Sequence, residues 1–186
     1  MSMPALSSWT VEMVRALPDD GNRYEVVGGA LLVTPSPSLP HQNAAFQLAR
    51  LLADHADATA SGQVVIAPAD VVYDARTMVE PDVFVLPLVD GRWARTVEEA
   101  GAPLLVVEVL SPTTARRDRT VKRALYQRHG VPEYWIVDTE RRVIERWRPR
   151  DVVPEILASS IAWRIGASGS ALVIDVPAFF RKVCGD

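Results

Sequence analysis

One cysteine is present in 186 residues, Cys184 near the C-terminal end. That excludes an intrachain disulfide and any cysteine-rich zinc site, and it fits a reducing compartment such as the cytoplasm. Long apolar runs are missing as well: nothing approaches the roughly 20 residues a helix needs to cross a bilayer. The opening segment, MSMPALSSWT, lacks the basic stretch followed by an apolar one that marks a secretory leader. A protein that is neither membrane-spanning nor secreted is expected. A charge bias is absent too, with 20 basic against 23 acidic side chains, a formal charge of -3 and a pI near 5.6. No overall field would draw a polyanion, so a nucleic-acid partner would have to be held by a local patch. Internal repeats, linkers and low-complexity tracts are lacking. The whole chain, 48% hydrophobic, is therefore expected to form one domain, with its core over about 9–183.

What is present reads as alternating helix and strand. Trp9, Val11, Met13, Val14 and Leu17 suit a short amphipathic helix that the turn residues PDDGN would end. RYEVVGGALLVTP reads as a hairpin turning at Gly28-Gly29. After the Pro/Ser loop PSPSLP, the spacing of Ala45, Leu48, Ala49 and Leu52 predicts a helix starting near His41. Three strand-like runs follow: QVVIAPADVVYD, MVEPDVFVLP and APLLVVEVLSP. The third is apolar on both parities, as in an inner strand covered on two faces. A helix from about Thr114 or Asp118 to His129 should end at Gly130. PEYWIVD and RRVIERWRP read as a strand pair, SALVIDV as a last strand and AFFRKV as a helical turn.

Two carboxylates stand out. Asp82 follows Pro81 at a strand start, and Glu108 lies inside the apolar run Val106, Val107, Val109, Leu110. An unpaired carboxylate there is costly, and a metal or a neighbouring cation would offset the cost. Adjacent strands could bring both acids to one Mg²⁺, which takes a few hard oxygen ligands and keeps room for water and phosphate. Downstream, Asp118, Lys122 and Tyr126 are spaced i, i+4, i+8 along one helix face, so Lys122 could point back at the acids. In phosphodiester hydrolysis such a lysine would stabilise developing charge or orient water. Between Arg116 and Arg128 there are six basic residues and one acid, a candidate grip on phosphates through Arg116, Arg117 and Arg119.

The segments YEVVGG, SPSLPH, EPDVFVL, LLVVEVLSPTT and RDRTVKRALYQRHGVPEYWIVD together resemble the bacterial restriction-endonuclease family of the Uma-two type, a branch of the PD-(D/E)xK nuclease superfamily. The resemblance runs from about Trp9 to Val183. It implies an α/β fold with an αβββαβ core, a mixed central sheet flanked by helices, and an N-terminal helix and β-hairpin. It implies Mg²⁺-dependent cleavage of DNA, with Mn²⁺ as a substitute, and a homodimer because a duplex has two strands to cut. Carried over by motif, Asp82 and Glu108 would be metal carboxylates, the Val109 carbonyl a further ligand, Glu25 the additional acid and His41 the histidine after the Pro/Ser loop. The superfamily's lysine two residues after Glu108 is Leu110 here. Lys122 matches the lysine thought to have moved to the following helix. Two other readings stand beside this one: a nuclease-fold protein without turnover that binds nucleic acid or regulates, and a nuclease acting on RNA or structured DNA ends.

Overall fold

The computed structural model describes residues 8–165 and 169–186. In chain order these form α1 (Val11–Arg15), β1 (Arg23–Val27), β2 (Ala30–Thr34), α2 (Leu39–Thr59), β3 (Gln63–Ile66), β4 (Val71–Asp74), β5 (Thr77–Val79), β6 (Val83–Leu86), α3 (Val97–Ala100) and β7 (Leu105–Val109). A continuous helical segment follows, made of α4 (Ala115–Arg117), a π-helical turn (Asp118–Lys122) and α5 (Arg123–Arg128). Then come β8 (Glu133–Asp138), β9 (Val143–Trp147), β10 (Glu155–Leu157), β11 (Ser160–Trp163), β12 (Leu172–Asp175) and α6 (Val176–Cys184).

The central sheet has six strands in the order β10-β9-β8-β7-β6-β3, and only β7 and β8 run parallel. Their connection is the helical segment, as a parallel pair requires. Parity assigns the faces. Val83 and Val85 of β6, Val107 and Val109 of β7 and Trp135 and Val137 of β8 pack against α2 and α6. Phe84, Val106, Tyr134 and Ile136 face the other way, against Leu125 and Tyr126 of α5. Glu108 shares the parity of Val106, so it points toward the helical segment rather than α2.

A second sheet, β2-β1-β5-β4, carries the hairpin. Both hairpin glycines have positive φ, 57° at Gly28 and 82° at Gly29, as a two-residue type I′ turn demands. Along β1 the parity splits again: Val26 packs with Val11 and Val14 of α1 and Met78 of β5, which leaves Glu25 on the opposite face.

Helix α2 starts at Leu39, two residues before the expected His41, because Ser38 caps it and Pro40 occupies its first turn. Two predicted strands are each two strands in different sheets. QVVIAPADVVYD splits into β3 and β4, and MVEPDVFVLP splits into β5 and β6. The chain leaves one sheet after Val79 and enters the other at Val83, so Glu80-Pro81-Asp82 bridges them. Gly130, at φ 70°, follows the helical segment as predicted. Stripped of the β4-β5 excursion and the one-turn α3, the order α2, β3, β6, β7, helical segment, β8 is the expected αβββαβ core. Among the described residues, no helix is long and apolar enough to cross a membrane.

Candidate active site

Strand register brings the two sequence-predicted acids together. Val83 of β6 lies opposite Val107 of antiparallel β7, and Phe84 opposite Val106. Continuing one step past the last pair sets Asp82 opposite Glu108 on the same sheet face, as cross-strand neighbours. The backbone amide of Val109 donates to Asp82 Oδ2 at 2.8 Å, which fixes the carboxylate against the end of β7. Both acids are almost fully buried, with 4% of Asp82 and 3% of Glu108 exposed.

Each acid is held by a cation that it shares with a second acid. Lys122 Nζ, from the π-helical turn, lies 2.8 Å from Glu108 Oε1 and 2.9 Å from Glu25 Oε1. Arg23 reaches Asp82 Oδ1 with Nη1 at 2.8 Å and Glu80 Oε1 with Nε at 2.6 Å. Two carboxylate–cation–carboxylate triads result, Glu25–Lys122–Glu108 and Glu80–Arg23–Asp82. Strand β1 supplies the acid to one and the cation to the other, because Arg23 and Glu25 are two residues apart and share a face. The backbone amide of Glu80 also donates to Glu25 Oε1 at 2.8 Å.

The surrounding groups complete this arrangement. Tyr126, one turn after Lys122, donates its hydroxyl to Glu108 Oε1 at 3.0 Å. His41, in the first turn of α2, sets Nε2 at 3.1 Å from Asp82 Oδ2. Asp118 lies one turn before Lys122 and is buried, and its Oδ1 has no hydrogen-bond partner. Leu110, at the position of the superfamily lysine, packs instead on the apolar cluster of Val106 and Ile136. The amine therefore arrives from the helical segment.

Electrostatics follow from burial and crowding of acids. Burial pushes Glu108 well above the ordinary carboxylate range; Lys122 opposes the rise, and Asp82, Asp118 and Glu25 add to it. Asp118 and Glu80 are raised by burial as well. Burial acts the same way on Asp82, yet the hydrogen bond and charge of His41 and the charge of Arg23 outweigh it and hold Asp82 at about 2. Burial disfavours the Lys122 ammonium, but Glu108, then Glu25 and Asp118, overcome it and raise its pKa.

These groups line a cavity of about 180 Å³, roofed by Pro35–Ser38 on one side and Ser111–Thr114 on the other. That is below the roughly 300 Å³ at which pockets begin to enclose a whole small ligand, so it suits one group of a larger molecule. Five acids line or adjoin it (Glu25, Glu80, Asp82, Glu108, Asp118) against the fixed cations Arg23 and Lys122. When ionised, each triad keeps one negative charge in excess, and Asp118 adds another. Hard oxygen donors with surplus negative charge fit a divalent cation. Asp82 and Glu108, with Val109 beside them, are the residues that could hold it. Among the described residues no group of three His, Cys, Asp or Glu side chains is arranged as a ready cage. Mg²⁺, which keeps several waters, does not require one.

The arginine cluster is elsewhere. Arg119 donates to Glu145 Oε1 at 2.7 Å and to Asp138 Oδ2 at 2.9 Å, neutralising two buried acids of β8 and β9. Arg117 donates to Val33 O and Thr34 Oγ1, tying the helical segment to β2. Arg116 is exposed, and none of the three lines the cavity. Of the three arginines expected to grip phosphate, Arg117 and Arg119 are thus bound to structural partners, although Arg119 also lines a neighbouring pocket with Ser38, His41 and Ser111, and Arg116 stays exposed. Sequence reasoning missed Arg23 and Glu80. The signal available was Arg23 two residues before Glu25 in one strand-like run, and Glu80 two before Asp82.

A comparison with curated proteins finds no match. Among solved structures, the chain is similar to one from Anabaena variabilis ATCC 29413 described as "a putative nuclease belonging to DUF820". The TM-score is 0.75 at 17% identity, over 94% of this chain and 99% of that one, which establishes a shared fold. Residues 11–160 match the model of the Uma2 family, described as "Putative restriction endonuclease". With most of its length inside that match, both triads included, the chain belongs to the Uma2 family.

Proposed function

We propose that this protein is a metal-dependent endonuclease that hydrolyses phosphodiester bonds of DNA. The observation that carries this reading is the pair of triads at one cavity, each setting two carboxyl groups against one cation, with Asp82 and Glu108 side by side. Asp82, Glu108 and the Val109 carbonyl would hold Mg²⁺, with Mn²⁺ as a substitute. When bound, such a cation polarises the phosphoryl group and lowers the pKa of water.

The chain's own residues do the rest. Arg23, His41 and the Val109 amide keep Asp82 ionised and fixed, so it is ready at neutral pH without reorganisation. Lys122, held as an ammonium, accepts no proton there; it donates hydrogen bonds and stabilises negative charge gathering on the phosphate, or orients the attacking water. Glu25 and Tyr126 fix its position and that of Glu108. The water oxygen bonds to phosphorus and gives up one proton to solvent, the ester P–O bond breaks with its electron pair on the leaving oxygen, and that oxygen takes up one proton from solvent, so one water is consumed per bond cut. The hydroxyl-rich rim of Ser36, Ser38, Ser111, Thr113 and Thr114 offers neutral donors to a sugar-phosphate strand. Cutting both strands of a duplex calls for two such centres, which a homodimer supplies.

Leu110 in place of the superfamily lysine, with Arg117 and Arg119 bound to structural partners, favours as second reading a nuclease-fold protein that binds nucleic acid without turnover. One experiment separates the two. Purified protein and its Glu108→Ala variant are incubated with plasmid and linear duplex DNA in Mg²⁺, in Mn²⁺ and in EDTA. Metal-dependent cutting by the wild type alone is the expected result. Binding without cutting in either metal would sink the enzyme reading and leave the second.

A further inference from the structure

Arg116, Arg117 and Arg119 do not line the cavity; among the described residues its fixed cations are Arg23 and Lys122, with the imidazole of His41 beside them. Lys122 is the more enclosed of the two fixed charges, with its side chain 5% exposed against 17% for Arg23. Two of the three Lys122 donors go to Glu108 and Glu25. Arg23 has five N–H groups. Nε is spent on Glu80 Oε1, and Nη1 on Asp82 Oδ1 and, at 3.4 Å, on the Glu80 carbonyl. Nη2, with two N–H groups, has no hydrogen-bond partner among the described residues, and the residue lines the cavity beside Asp82.

We infer that Arg23 is a further catalytic residue that contacts the scissile phosphate, holding Asp82 with one edge of its guanidinium and donating to a non-bridging phosphate oxygen with Nη2. This rests on the nuclease reading above and deepens it. A planar guanidinium serves both partners because its donors are fixed in one fork, which a lysine ammonium does not reproduce. As water adds to phosphorus, negative charge grows on the non-bridging oxygens, and a donor already anchored by two carboxylates meets that charge without reorganising. The two acids that hold Arg23 set its direction, and a cation at Asp82 and Glu108 would offset their charge so that a phosphate can approach. Strand β1, outside the αβββαβ core, then supplies a substrate contact as well as the anchoring acid Glu25.

The test uses full-length protein, Arg23→Met and Arg23→Lys, with thermal melts to confirm folding. Binding of a fluorescein-labelled DNA duplex is measured in Ca²⁺ across a KCl series, and cleavage of the same duplex in Mg²⁺. Arg23→Met should bind about tenfold more weakly, with a salt slope lower by about one, as expected for one lost phosphate contact. Arg23→Lys should keep the salt slope, because the charge remains, and lose about tenfold or more in kcat, because the fork is gone. Unchanged affinity and slope in Arg23→Met, or wild-type turnover in Arg23→Lys, would overturn the proposal while leaving the nuclease reading intact. Failure of the wild type to bind or cut DNA in these metals would overturn both. If Arg23→Met does not fold, the Arg23→Lys kcat decides.

Discussion

Replacing Lys122 by Met tests the triad at its centre. The ammonium makes ion pairs of 2.8 and 2.9 Å to two carboxylates, each nearly inaccessible to solvent. At an effective dielectric of about 20, each contact is worth about 6 kcal/mol of Coulomb attraction, most of it offset by the cost of taking three charged groups out of water. Methionine fills the stem but leaves Glu25 and Glu108 facing each other unneutralised. Breaking a buried pair in this way costs about 3–5 kcal/mol. That is a large part of the roughly 5–15 kcal/mol that holds a protein together. For a chain of this length it corresponds to a fall in Tm of about 6–20 °C. Urea unfolding and thermal melts in EDTA read the loss without interference from bound cation. Adding Glu25→Gln to the Lys122→Met background should recover about 1–2 kcal/mol, because one of the two stranded acids becomes neutral. A Lys122→Met protein within about 1 kcal/mol of wild type, with nothing gained from Glu25→Gln, would refute the triad as the holder of Glu108.

Two further outcomes follow from the same geometry. Asp82 is held at about 2, below its ordinary 3.8. Its ionised form therefore contributes stability that is present above pH ~4 and lost as pH falls through ~2, about 2 kcal/mol in all. The stability difference between wild type and Asp82→Asn, followed by urea unfolding, should shrink across that window, and a pH-independent difference would refute the assignment. Arg119→Ala should lower stability by about 1–2 kcal/mol, since Asp138 and Glu145 lose the nearer of two shared partners, keeping only the exposed Arg141, and Arg119 is itself partly solvated. Its DNA affinity and salt slope should match wild type by fluorescence anisotropy; a slope lower by about one would return Arg119 to the substrate.

Much of the fold was legible because its signals are local. The apolar run around Glu108 reads as an inner strand, the period-2 parity decides which face Glu108 takes, and the i, i+4, i+8 spacing of Asp118, Lys122 and Tyr126 puts them on one side of a helix. Gly28-Gly29 and Gly130 mark a turn and a helix end because other residues resist positive φ. The division of two strand-like runs between different sheets was not legible. β-Branched residues suit either sheet, and nothing local says that Glu80-Pro81-Asp82 crosses between them.

Partner choice is where sequence and tertiary structure divide. The sequence alone set Asp82 and Glu108 on consecutive strand-like runs that could bring them together, and a lysine on the next helix that could reach them, because β-branched runs and helix spacing are local signals. Only the tertiary structure decided which cations answer which acids. Arg119 and Arg117 of the helical segment turn to Glu145, Asp138 and β2, whereas Arg23, some sixty residues from Asp82 in sequence, closes on it at 2.8 Å. An ion pair depends on distance in space, and distance across elements is set by how the β1-β2 hairpin docks on the end of the central sheet. Neither composition nor periodicity along the chain carries that information.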